Sequence, residues 1–262
     1  MDIIKRFFSY TEIKTKITSV LTFGLTLAYL LSSGREINVY RSFVFFSGMF
    51  LFDLTATTVN NYCDTKKNHQ TLQFTRRTAL AITLILFAAS TLLGLYLVYL
   101  TDLIVLFLGG LCFLLGILYS YGPVPISHGP YGEVISGLFY GLLIPTLLFY
   151  INLPNGELLS YSLSLSKFSF ELNFAPALEI ALLSVVPFCL TANIMLANNT
   201  CDVKHDVAVN RYTLPYYLKD SALHLFAALY YAAYVSVVIM VFLRLLSPVS
   251  LLLLVTLLPV QK

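Results

Sequence analysis

Asn198-Asn199-Thr200-Cys201-Asp202-Val203-Lys204-His205-Asp206 directly follows an apolar run, residues 178–196, that is long enough to cross a bilayer. If the helix of that run continues through the polar stretch, Asn198, Asp202 and Asp206 fall at i, i+4 and i+8 on one face. An amide and two carboxylates stacked this way at a membrane boundary suit a hard divalent cation, which takes oxygen ligands. The stretch has a twin 138 residues earlier, where Asn60-Asn61-Tyr62-Cys63-Asp64-Thr65-Lys66 repeats the pattern N-N-x-C-D-x-K at the end of another long apolar run. Two matched polar motifs, each closing a membrane-length run, predict an all-α integral membrane protein with a site built between them.

Composition agrees. The chain is 58% hydrophobic and only 11% charged, against about 25% charged in an ordinary soluble domain. Its mean hydropathy is +0.81. A net charge of +3 is too small to argue for nucleic acid, and no obligate protein partner is implied. The first apolar run lacks a small-residue cleavage site, so no cleavable signal peptide is expected. Cys63, Cys112, Cys189 and Cys201 show no metal spacing. Cys112 and Cys189 lie in apolar runs as small hydrophobes, and Cys63 and Cys201, each before a motif Asp, are poor ligands for a hard cation.

A membrane-spanning helix needs about 20 apolar residues. Runs at 17–33, 40–59, 78–99, 103–120, 134–151, 177–197 and 222–246 meet that measure, and a short eighth covers 248–260. All should be helices, because an open strand leaves its backbone unsatisfied in lipid. Each motif closes the second run of a four-run unit. This predicts one domain, 1–262, of about eight spans in two tandem four-helix halves, about 14–125 and 130–262, around a central cavity. Parallel repeats place their sites at the interface between halves. The loop at 152–174 alternates Ser and Leu over 159–166, as in a short strand or an irregular cap.

Charge sets the expected orientation. With the N-terminus cytoplasmic, the inner segments hold Lys5, Arg6, Lys14, Lys16, Lys66, Lys67, Arg76, Arg77, Lys204, Arg211, Lys219 and Lys262. The outer ones hold only Arg35, Arg41, Lys167 and Arg244. That asymmetry obeys the positive-inside rule and puts both motifs on the cytoplasmic face of the cell membrane.

The first motif supplies Asn60, Asp64 and Asn68 at the same spacing as Asn198, Asp202 and Asp206. Mg²⁺ commonly takes one or two carboxylates and completes its shell with water and phosphate oxygens. The expected ligand is therefore phosphorylated. Lys67, Arg76, Lys204 and Arg211 form a basic set suited to diphosphate, whereas Lys66, Arg77 and Lys219 read as topological anchors. Asp53, seven residues before Asn60, either faces a cavity or is bonded to Thr57. His69, His128, His205 and His224 form no ligand spacing, and His205 reads as a solvated loop residue.

Paired Asn/Asp motifs at the ends of spans two and six resemble those of the UbiA-type intramembrane prenyltransferases. Three stretches bring the likeness close to the dihydroxynaphthoate branch of that family. They are Asn60-Asn61-Tyr62-Cys63-Asp64-Thr65-Lys66-Lys67, the loop Gly122-Pro123-Val124-Pro125 with Gly129 and Gly132-Glu133, and Asn198-Asn199 with Asp202, Asp206 and Arg211-Tyr212-Thr213-Leu214. There are departures. Asn61 and Asn68 stand where many members carry Asp, Asn210 replaces a frequent Lys, and the family generally has nine spans.

The resemblance implies Mg²⁺, with Mn²⁺ as the alternative, held by Asn60, Asp64, Asn68, Asn198, Asp202 and Asp206. It implies a polyprenyl diphosphate donor, gripped by Lys67, Arg76, Lys204 and Arg211. The acceptor would be 1,4-dihydroxy-2-naphthoate, prenylated with loss of CO₂ and diphosphate. Asp64, Asp202, Asp206 and Arg211 would carry catalysis; Asp53, Asn61, Tyr62, Tyr119, Tyr121 and Glu133 would contact acceptor or prenyl chain. For Tyr119 and Tyr121, shielding of a carbocation and interfacial anchoring both stand. Another ring, 4-hydroxybenzoate or haem, is the alternative acceptor. A cation-coupled secondary transporter is the alternative from another class, although transporters usually bind near the bilayer midplane.

Overall fold

A computed structural model describes residues 2–67, 71–154, 156–163 and 168–260. Among them, seven helices are long and apolar enough to cross a membrane. Spans one to seven are Ile13–Ser32, Val39–Thr65, Arg76–Leu100, Leu103–Ser120, Gly132–Asn152, Phe174–Ala208 and Ser221–Phe242. Spans two and six matter most: their helices run on to Lys67 and Ala208, straight through both polar motifs. The i, i+4 spacing assumed for those motifs therefore holds.

Among the described residues, the eighth run forms no helix of spanning length. Pro248–Thr256 is a 3₁₀-helix followed by one α-helical turn, Leu257–Val260, and it packs beside span seven, where the Tyr234 and Thr256 hydroxyls pair at 2.7 Å. At about 2.0 Å and 1.5 Å of rise per residue these pieces reach roughly 24 Å, short of the roughly 30 Å hydrocarbon core.

The core lies where spans one, two, five and six meet, around Leu30, Leu148, Phe149 and Ile151, all of them sealed from solvent. Spans three and seven turn large apolar residues such as Ile85 and Phe242 outward, as lipid-facing helices must. Span five approaches span six at Gly137 and Gly141. A Cβ on Gly141 would lie 2.3 Å from the Phe188 nitrogen, so only glycine allows this contact. Within span five, Leu138–Leu143 winds as a π-helix.

At the end opposite the motifs, the 152–174 loop contains an antiparallel hairpin. Leu159–Leu163 pairs with Phe168–Leu172, and Leu159 faces Leu172. Beside it, Arg35 makes a bidentate pair with Glu179 at 2.7 and 2.8 Å and lies over the Phe149 ring. Glu179 holds the Arg35 guanidinium above its ordinary pKa. At the motif end, the short amphipathic helix Ile3–Tyr10 is pinned by Tyr10, whose hydroxyl donates to the Thr58 carbonyl at 3.1 Å. Burial pushes that phenol's pKa up.

Candidate active site

A cavity of about 290 Å³ opens at the motif end, between spans one, two, four, five and six. Asn60 and Asn198, the leading residues of the two motifs, both line it, together with Tyr119, Ser120, Tyr140 and Arg211. The matched motifs thus converge. Ser120 donates to Asn60 Oδ1 at 2.9 Å and orients that amide. Phe139 and Tyr140, in the π-helical part of span five, both stand on the wall.

The loop after span four joins the motifs. Its 3₁₀ turn, Ile126–His128, brings His128 Nε2 to 3.5 Å from Asp64 Oδ1. The Ser127 carbonyl accepts from Arg211 Nε at 3.2 Å, and the His128 carbonyl accepts from the Tyr212 backbone N–H at 2.9 Å. One turn therefore touches both halves of the site. Arg211 returns to the cavity because Asn210, at φ 59°, ends span six in a left-handed residue. The Arg211 N–H then closes onto the Asp206 carbonyl at 2.8 Å. Asparagine tolerates this conformation better than most residues.

Below the motifs lies a buried ionic cluster. Asp53 accepts from Lys16 Nζ at 2.9 Å, from Ser19 Oγ at 2.6 Å and from the Tyr140 hydroxyl at 2.8 Å. Lys16 and Asp53 are each 3% exposed. One expectation is corrected here: Thr57 bonds to Lys16 rather than to Asp53. Asp53 does not line the cavity itself; it fixes Lys16 and Tyr140, which do.

The other expected residues separate. Asp202 and Lys204 are exposed and do not line the cavity. The Asp206 carboxylate is buried, 3.7 Å from Arg211 Nε and accepting from the Thr213 hydroxyl at 3.4 Å. It holds the turn that aims Arg211. Among the described residues, no three of His, Cys, Asp and Glu come together as a metal cluster. Asn68 lies outside the described residues, as does the side chain of Lys67. Arg76 is exposed, donates to the Tyr62 carbonyl at 3.1 Å and covers the Tyr62 ring, so this pair packs on itself. The Asn61 amide donates to the Tyr10 carbonyl and to Glu12, bracing the amino-terminal segment. Tyr121 is exposed at the membrane boundary, whereas Tyr119 accepts from Ser136 Oγ at 3.4 Å. Glu133, 2% exposed, accepts from Asn199 Nδ2 at 2.8 Å, and its second oxygen has no partner.

Lys16, Ser120, His128 and Tyr140 escaped the sequence reading. Only Lys16 carried a usable signal, a cation placed against the start of an apolar run. The rest are set by packing between distant elements.

The cavity has hard oxygen donors on two facing helices and a cation at its rim, as one family of membrane enzymes requires. A family model described as the UbiA prenyltransferase family matches residues 20–261. The chain belongs to the UbiA prenyltransferase family. A curated relative, the 1,4-dihydroxy-2-naphthoate octaprenyltransferase of Bacillus subtilis (strain 168), is 28% identical over 163 residues. That match covers 62% of this chain and 46% of the relative, so this UbiA prenyltransferase spans under half of that protein's length in the match. A UbiA homologue from Aeropyrum pernix K1 shares the fold at a TM-score of 0.63 and 14% identity, covering 95% of this chain and 83% of that one. A homologue from Archaeoglobus fulgidus bound to GPP and Mg²⁺ aligns at a TM-score of 0.59 and 12% identity, with 94% and 83% covered.

Proposed function

We propose that this UbiA prenyltransferase transfers a polyprenyl group from its diphosphate to 1,4-dihydroxy-2-naphthoate, with the site on the cytoplasmic face. The observation that carries the reading is the convergence of Asn60, Asn198 and Arg211 on one cavity at the end of the spans. The ring carbon bearing the carboxylate forms the new bond to the allylic carbon. The allylic C–O bond breaks and its electron pair leaves with diphosphate. The carboxylate departs as CO₂ and returns its bonding pair to the ring.

The donor set fits Mg²⁺ as an open site rather than a cage. Asp64 and Asp202 would supply carboxylates, Asn60 and Asn198 amide oxygens, and the substrate diphosphate the remainder. When bound, the ion neutralises charge developing on the leaving diphosphate. Arg211, fixed by Asp206 and by the Ser127 carbonyl, adds preorganised positive charge. Tyr119, Phe139 and Tyr140 wall the reacting carbon from water. The naphthoate as acceptor rests on the loop 122–133 and on the curated relative.

The test is an assay of purified protein with dihydroxynaphthoate, a polyprenyl diphosphate and Mg²⁺, the product followed by mass. Product that is lost with chelator and in Asp202→Ala supports the reading. Product from 4-hydroxybenzoate but none from the naphthoate would overturn the acceptor.

A further inference from the structure

A second chamber of about 280 Å³ lies deeper in the membrane, between spans two, three, four and five. Its lining is apolar. The only hydroxyls on it, Ser90 and Thr91, both donate to the Phe87 carbonyl and so present no free polar group. At its outer rim Leu95 and Leu106 are exposed towards lipid. The chamber and the polar cavity are neighbours along the same helices: Phe52 and Phe113 line the chamber, Thr57 and Gly116 line the cavity, and Phe139 lines both.

Between them stands an aromatic partition. The Phe52 ring lies 4.0 Å from that of Phe113 and 6.1 Å from that of Phe139, centroid to centroid. It is seated directly on span four at Gly116, where a Cβ would come within 2.7 Å of the ring. Glycine there is what lets the ring close the passage.

We propose that Phe52 sorts prenyl donors by length. This rests on the function proposed above and adds a specificity-determining residue to it. The chamber is the distal compartment for the isoprene units of the donor. It adjoins the cavity at the diphosphate end through the shared Phe139, offers no free polar atom to a different ligand, and opens to lipid where a long tail can leave. A short donor ends before Phe52. A long one enters the chamber only by turning the ring away from Gly116.

The experiment compares kcat/KM for octaprenyl and geranyl diphosphate in wild type, Phe52→Ala, Phe52→Leu and Phe52→Trp. Phe52→Leu keeps the core filled and guards against loss of fold. A hydrophobic contact of this size is worth about tenfold or more in discrimination. The octaprenyl-to-geranyl ratio should rise about tenfold in the Ala and Leu variants and fall by a similar factor in Trp. In parallel, an octaprenyl diphosphate carrying a photoreactive group in its distal half should label residues 87–113 in wild type, less so in Phe52→Trp. Ratios that stay within twofold, or label that falls outside the chamber, overturn the proposal. Absence of prenylated naphthoate together with Phe52-dependent labelling refutes the acceptor and leaves the partition standing, because labelling is read without turnover.

Discussion

The pair of Lys16 with Asp53 makes the most demanding stability prediction. At 2.9 Å the two charges attract by about 6 kcal/mol at an effective dielectric of about 20. Desolvation of both groups cancels much of this, so the intact pair is worth far less than its attraction. Removing one partner is a different matter. Asp53→Leu leaves a buried ammonium with only Thr57, and Lys16→Met leaves a buried carboxylate with Ser19 and Tyr140. Each should cost about 3–5 kcal/mol. The double variant strands only hydroxyls, at about 1 kcal/mol each, and should cost about 2–3 kcal/mol in all. The coupling energy is then about 3–8 kcal/mol. Denaturant unfolding in detergent measures it, and each single variant should also lower the melting temperature by roughly 10 °C. A coupling energy under about 1 kcal/mol would falsify the reasoning, since it would mean that Lys16 reaches water when its partner is gone.

Three other outcomes follow from particular contacts. Arg211→Lys keeps the charge but loses the Nε bond to the Ser127 carbonyl, and kcat/KM should fall about 10- to 100-fold with unfolding unchanged. Asn210→Ala keeps a Cβ at φ 59° but loses the short polar side chain that eases this conformation, and should cost about 1 kcal/mol in chemical unfolding, while Asn210→Gly should be tolerated; equal effects would show that the left-handed turn is not what matters. Gly141→Val must push spans five and six apart, costing at least about 1–3 kcal/mol, whereas Gly109→Ala, with open space at its Cβ, should leave the melting temperature within a degree or two.

Composition and run length were enough to read an all-helical membrane protein, because backbone satisfaction in lipid leaves few alternatives. The extension of helices through both motifs was legible too, since the i, i+4 repeat of Asn60–Asp64 and Asn198–Asp202 makes sense only on a helix. The run at 248–260 misled because apolar composition does not report rise or length in space. Among the candidate residues, spacing brought Asn60 and Asn198 to one cavity but could not show that Asp206 turns inward to Arg211 and Thr213. A side chain's direction depends on what packs against its helix. The partners of the site were equally hidden: Ser120 lies 60 residues from Asn60, and Lys16 lies 37 from Asp53. Periodicity along one helix identifies which residues share a face, and that much belonged to the sequence alone. Which faces meet, and which charges find one another there, was decided only when spans one, two, four, five and six packed, because contact between distant segments leaves no periodic trace in any one of them.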